Sequence, residues 1–111
     1  MLARSRRLTS QKDFERVFKK GKKIREGFLI LAASKNDLGQ ARFGFVVSQK
    51  VSKKATLRNK IKRRLRSLAK LKLGQIKEGL DIVVVAIPGL EAKSFLETEE
   101  AINKLFKKIK C

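Results

Sequence analysis

The sequence predicts an α+β protein: a single domain built on one sheet of about four strands with helices packed on it, in the order αβββαβα. Three observations lead there. A chain of 111 residues leaves room for one core and not for two. Hydrophobic residues make up 42 % of it, enough for a packed interior and too many for a disordered basic tail. The apolar pattern switches along the chain between a helical period and continuous β-prone runs, with turn residues at each switch. One sheet covered by helices is the economical solution to such a pattern. With seven Phe and no Trp or Tyr, the core is expected to be aliphatic.

Residues 1–9 read as a basic, mobile arm. Ser10 to Asp13 resembles a capping box with Asp in place of Glu and marks a helix start. Phe14, Val17 and Phe18 then share one helical face, and Gly21 is the expected stop. Lys22 to Glu26 reads as a short strand and Phe28 to Ala33 as a stronger one, almost continuously apolar. Asn36 to Gly39 is turn chemistry. Arg42 to Ser48 is the next strand, antiparallel to the one before it. Gln49 to Lys54 is a basic connector into a helix from Ala55 to Leu73, with Gly74 as its stop. Asp81 to Ile87 is the most β-prone run, closed by Pro88 and Gly89. Ser94 to Glu97 forms a capping box, and Ile102, Leu105, Phe106 and Ile109 give the last helix its apolar stripe. No repeat or composition break divides the chain.

Twenty-nine Lys and Arg against ten Asp and Glu give a net charge of +19. Such a surface repels itself unless it meets a polyanion, and counterion release from nucleic acid favours that meeting. A salt-bridged surface needs comparable numbers of both signs. The N-terminus lacks the apolar region of a secretory signal, and no stretch reaches the eighteen or so apolar residues of a membrane span. Cytoplasmic location without a membrane partner is the expectation. A lone Cys111 offers neither a disulfide framework nor a metal cluster, and is expected to be an exposed thiol. With no His, a His-based general base or zinc site is excluded.

Most of the excess charge is local. The forty positions from Leu38 to Lys77 hold thirteen basic residues and no acidic one. On a helical wheel, Leu57, Ile61, Leu65 and Leu68 share a narrow face suited to dock on the sheet. Arg58, Lys62 and Arg66 run up one flank. Asn59, Arg63 and Lys70 face solvent, and Lys60 and Arg64 border the other edge of the stripe. Like charges at i, i+4 cost a few tenths of a kcal/mol each, so fold stability does not explain this pattern. A polyanionic partner does. A basic amphipathic membrane helix fits less well, because the apolar side is needed for the sheet and lacks aromatic anchors. Asn59, set among bases, can donate to and accept from a sugar hydroxyl or a base edge.

The run Arg58-Asn59-Lys60-Ile61-Lys62-Arg63-Arg64-Leu65-Arg66 resembles the RNR motif of the bacterial ribonuclease P protein family, Arg-Asn-Arg-x-Lys-Arg-x-x-Arg. The strand before it ends Val46-Val47-Ser48-Gln49-Lys50, similar to the family's Val-Ser-Lys-Lys. Asp13 to Gly21 resembles its Asp-Phe-x-x-Val-Phe-x-x-Gly. The likeness spans essentially the whole chain. Lys60 departs from the family's Arg, keeping the charge and losing the bidentate fork. The resemblance implies an α/β sandwich with a left-handed β-α-β crossover through the motif helix, where general rules predict a right-handed one. It implies two partners, a large catalytic RNA and precursor tRNA, with no protein partner required. By the same resemblance, Arg58, Asn59, Lys60, Lys62, Arg63 and Arg66 meet the RNA. Phe14, Phe18, Leu31, Ser48 and Lys50 line a cleft for the single-stranded 5′ leader, Leu31 standing where the family often has Tyr. From the residues alone, a Phe pair at i, i+4 is more often plain core.

The expected activity is endoribonuclease action as the protein subunit of a ribonucleoprotein. The protein contributes no catalytic side chain, and Mg²⁺ ions held mainly by the RNA run the hydrolysis. The dispersed acids and the absence of His agree with that. A ribosomal or RNA-chaperone type of binding protein is the competing class. A stand-alone protein nuclease is a third, disfavoured because it lacks the usual general base.

Overall fold

The structure is a computed structural model that describes residues 6–8, 10–72 and 79–109. The expected helix stop at Gly74, the basic Lys77, Cys111 and the rest of the N-terminal arm lie outside the described residues.

Helix α1 (Gln11–Lys20) buries Val17, with Phe14 and Phe18 half-buried beside it. Ser10 occupies the N-cap position, yet its side chain makes no capping hydrogen bond, so the expected box does not form. Asp13 turns instead to Arg16 at 3.4 Å and Arg42 at 3.6 Å, because two guanidinium groups attract a carboxylate more than a neutral N–H does. Gly21 ends the helix as expected, but not through a left-handed backbone: its φ is −79°. A Cβ there would lie 2.3 Å from the Val17 carbonyl oxygen and 2.6 Å from that of Ala33. Glycine is needed for the close approach of helix and strand.

Strands β1 (Lys22–Glu26), β2 (Leu29–Lys35), β3 (Arg42–Val47) and β4 (Leu80–Ala86) form one sheet in the order β1-β2-β4-β3. β2 pairs antiparallel with β1 and β4, and β3 pairs parallel with β4. β3 thus runs opposite to β2, as expected, but is not its neighbour; β4 is inserted between them. The reason is visible in β4 itself. Ile82, Val83 and Val84 are apolar on successive positions and fully buried, so the strand needs neighbours and cover on both faces, which only a central place provides.

Helices α2 (Ala55–Leu71) and α3 (Phe95–Ile109) cover one face of the sheet and α1 the other. The larger core packs Leu29, Leu31, Phe43, Phe45 and Ile82 under Leu65 and Leu68 of α2 and Ile102, Leu105 and Phe106 of α3. It is not purely aliphatic: Phe43 lies 6.2 Å from Phe106 and 6.4 Å from Phe45, ring centre to ring centre. Leu57, expected on the docking face of α2, is 36 % exposed in the helix's first turn, while Ala69 joins the buried stripe. The capping box of α3 forms as expected. Ser94 Oγ accepts from the Glu97 N–H and Glu97 Oε1 from the Ser94 N–H, each at 3.1 Å.

Residues 6–8, expected in a mobile arm, dock along the outer edge of β3. The Leu8 N–H donates to the Phe43 carbonyl at 2.7 Å, Arg6 reaches the Ala41 carbonyl at 3.2 Å, and Leu8 is buried in the smaller core beside Val17. A short added stretch of backbone satisfies groups that an edge strand otherwise leaves open.

Candidate nucleic-acid interface

The connector before α2 is held by its own serines. Ser48 Oγ accepts from the Lys50 N–H and Ser52 Oγ from the Lys54 N–H, both at 3.1 Å, while Val51 is buried. Arg58 folds back to donate to the Ser52 carbonyl at 2.8 Å. One donor of this predicted RNA ligand is therefore spent on fixing the turn. The helix that follows has no acid in its first turn and no side-chain cap at Lys54, so its positive dipole end adds to Lys53 and Lys54.

Along α2, Asn59, Lys60 and Arg63 are exposed, and Arg58, Lys62 and Arg66 are half-buried on one flank, as the wheel predicts. Thr56, Asn59, Arg63 and Arg66 line a shallow groove, and Lys54, Lys60 and Arg63 border a second. Among the described residues, no basic side chain of this helix is in an ion pair. The surface can take planar or point contacts with phosphate at several places, and Lys60 supplies a point charge only.

The second predicted surface lies on the α1 side of the sheet. Phe14 and Phe18 pack on Val46 and Val85 around Ala32 and Val83, so each is part core and part surface. Phe14 can lie there because β3 carries glycine beneath it: a Cβ on Gly44 would come within 2.5 Å of the ring. Lys23 Nζ lies 5.8 Å from the centre of the Phe18 ring. Leu31 does not belong to this surface. It is wholly buried in the larger core on the opposite face. The residue of β2 that faces α1 is Ala32, one position on, and in a strand one position means the other face. Ser48 follows Gly44 and Val46 in the alternation that faces α1 and is half-exposed, and Lys50 is exposed beyond it. A groove over the β3 edge, lined by Arg7, Leu8, Phe14, Gly44 and Arg66, joins the two surfaces. Arg66 borders both.

Sequence reasoning missed the charged cluster beneath α1. Asp81, with no exposed side-chain surface, is gripped by Arg42, whose Nε and Nη2 donate at 2.8 and 2.7 Å. Asn36 donates to it at 2.7 Å, and Arg16 closes the cluster with a direct ion pair. Burial pushes the Asp81 carboxyl up, but the hydrogen bonds from Arg42, Asn36 and Arg16 outweigh it and hold the group below its ordinary value. The bond to Asp81 likewise raises the Arg42 guanidinium. Arg42, one of the thirteen bases of the charge-dense segment, is therefore committed to the fold. The signal was an acid at the head of the most β-prone run, where the sequence does not name its partner.

No group of three His, Cys, Asp or Glu that could hold a metal occurs among the described residues. Asp13 and Asp81, the acids of the cluster on the α1 side of the sheet, are occupied by arginines. No helix among them is long and apolar enough to cross a membrane.

A family model described as Ribonuclease P matches residues 2–110. The ribonuclease P protein component of Syntrophomonas wolfei is 37 % identical over 108 residues, 97 % of this chain and 90 % of the relative. That of Thermotoga maritima is 36 % identical over 110 residues, covering 96 % and 93 %. Among solved structures, the Thermotoga maritima RNase P protein superposes with a TM-score of 0.83 at 34 % identity, covering 92 % of this chain and 96 % of that one. The Staphylococcus aureus RNase P protein gives 0.88 at 29 %, covering 95 % of each.

Proposed function

Because this chain belongs to the bacterial ribonuclease P protein family, we propose that its two surfaces divide the work of one ribonucleoprotein between them. It is a protein component of that enzyme, a subunit with a role in tRNA processing, partnered by ribonuclease P RNA. A ribosomal or chaperone-type role is not favoured.

In the proposed division, the α2 flank made of Asn59, Lys60, Lys62, Arg63 and Arg66 neutralises phosphates of the RNA subunit, with Arg58 shared between RNA and the connector. Phe14 and Phe18, with Ser48 and Lys50 at the end of β3, hold the 5′ leader of precursor tRNA. Unpaired bases stack on aromatic rings whatever their sequence, for roughly 1–3 kcal/mol each. Ala32 beside the two rings adds no third aromatic or hydroxyl, so leader contact depends on the Phe pair. The observation that carries this reading is the groove in which Arg66 of the basic flank and Phe14 of the cleft meet.

The chain positions and neutralises; it does not supply the reacting groups. Phosphodiester hydrolysis by Mg²⁺ needs free oxygen donors, and this chain's Asp13 and Asp81 do not fit that need because arginines hold both. The ions belong with the RNA's phosphates, and cleavage with the RNA. The enzyme acts in the cytoplasm without a further protein partner. Reconstitution with a bacterial ribonuclease P RNA at low Mg²⁺ tests the reading. Restored 5′ cleavage of precursor tRNA is expected, and no cleavage and no binding overturns it. Phe18→Ala is expected to weaken binding of leader-bearing tRNA far more than mature tRNA; equal losses would assign the ring to the core alone.

A further inference from the structure

We propose that Phe95, with Arg64 beside it, is a stacking seat for an unpaired base of the RNA that α2 binds, a site separate from the leader cleft. It rests on the reading of α2 as the face that meets ribonuclease P RNA.

Neither the cap nor the buried stripe of helix α3 uses Phe95, its first residue. Its capping box is made by Ser94 and Glu97, and its buried stripe is Thr98, Ile102, Leu105 and Phe106. Phe95 lies on the same stripe one turn earlier and is 46 % exposed. It is the one exposed large aromatic among the described residues. Leu57 is likewise exposed at the start of α2. Arg64 ties the two to one corner, since it lies beside Phe95 and lines the same cavity as Leu57. Arg64 places its guanidinium carbon 5.9 Å from the centre of the Phe95 ring. It also lines, with Leu57, Lys60, Leu90 and Lys93, the cavity between the two helices.

A half-exposed ring with a guanidinium beside it has the chemistry that recognises a splayed base, which offers a flat π face on an anionic backbone. Charge favours that occupant, since Lys60, Arg64 and Lys93 border the corner. The corner's acids are exposed but already engaged within the chain. Glu91 accepts from the Gly89 N–H at 3.0 and 2.9 Å, and Glu97 caps its helix and pairs with Lys93 at 3.6 Å. The corner is also continuous with the basic flank, because Lys60 borders both this cavity and the groove beside Arg63.

The chain has no Trp or Tyr, so Phe95→Trp gives a single fluorophore. Titrated with ribonuclease P RNA at fixed salt, it is expected to show emission quenched in step with binding. Phe95→Ala is expected to bind that RNA about tenfold more weakly, within the range of one lost stack, and to keep the wild-type preference for leader-bearing over mature tRNA. Leu96→Ala, also on the exposed first turn, is expected to bind within twofold of wild type. Normal binding by Phe95→Trp with no change in its indole emission, or wild-type affinity in Phe95→Ala, overturns this inference alone. Emission that shifts with protein concentration in the absence of RNA assigns the corner to contact between copies and overturns it too. Wild-type protein that fails to bind the RNA overturns the reading of α2 as well.

Discussion

Arginine does opposite work in two regions of this molecule. Beneath α1, Arg16 and Arg42 converge on Asp81 with Asn36 completing the shell, and the carboxylate is sealed from solvent. Along α2, Arg63 and Arg66 stand among like charges with no carboxylate in reach among the described residues. The first region spends charge on holding a helix to a sheet; the second withholds it from the fold. Net charge alone therefore misstates how much is available to a polyanion, and Arg42 is the residue that shows it.

The largest effect that tests this contrast is on the buried side. Asp81→Asn leaves Arg16 and Arg42 with only the partly exposed Asp13 as counter-charge, and a loss of about 3 kcal/mol is expected in denaturant unfolding. In the wild type the carboxyl titrates lower when folded than its free value of 3.8. The stability it contributes is therefore present above that pH and is lost as pH falls through the folded value. Asp81→Asn is expected to flatten this acid limb, and an unchanged limb would show that the cluster is not what acid undoes.

Gly44→Ala is expected to come next, at about 1–3 kcal/mol, because the new methyl meets the Phe14 ring. Binding of leader-bearing tRNA should fall in the same variant while affinity for the RNA subunit holds. Arg63→Ala should invert the pattern. Stability is expected to stay within about 0.5 kcal/mol, on the favourable side because repulsion from Lys60 and Arg66 is relieved. RNA affinity should drop, with the log–log salt slope smaller by about one. A destabilised Arg63→Ala with an unchanged slope would erase the distinction between the regions. The smallest effect is expected from Lys60→Arg, which restores a bidentate fork on an exposed position. It should tighten RNA binding by less than Arg63→Ala weakens it and leave unfolding unchanged.

How far the sequence could be read follows from whether a pattern is local. The α2 surface was legible because the wheel is a property of one segment, and Arg58, Lys62 and Arg66 lie on one flank as predicted. The parity of β2 was not. Leu29 to Ala33 is apolar at every position, so nothing in it says that Ala32, and not Leu31, faces α1. The insertion of β4 between β2 and β3 was equally hidden, since turn chemistry at Asn36 to Gly39 suits a neighbouring strand as well as a distant one. Gly44 was the available hint, an interior strand glycine that signals close approach. The docking of Arg6 to Leu8 left no signal, because a few basic residues pairing by backbone look like any basic arm.

The central position of β4 also sets the order in which the molecule can be made. Leu29 waits for Ala86, and Arg42 for Asp81. A growing chain can close only the β1–β2 hairpin and the helices; the sheet is complete after synthesis has passed Ala86. Pairings of such long separation are slow to find. Until then Arg16 and Arg42 have only Asp13 to pair with and Asn36 has no carboxylate, and the nascent protein is more basic on its surface than the finished one.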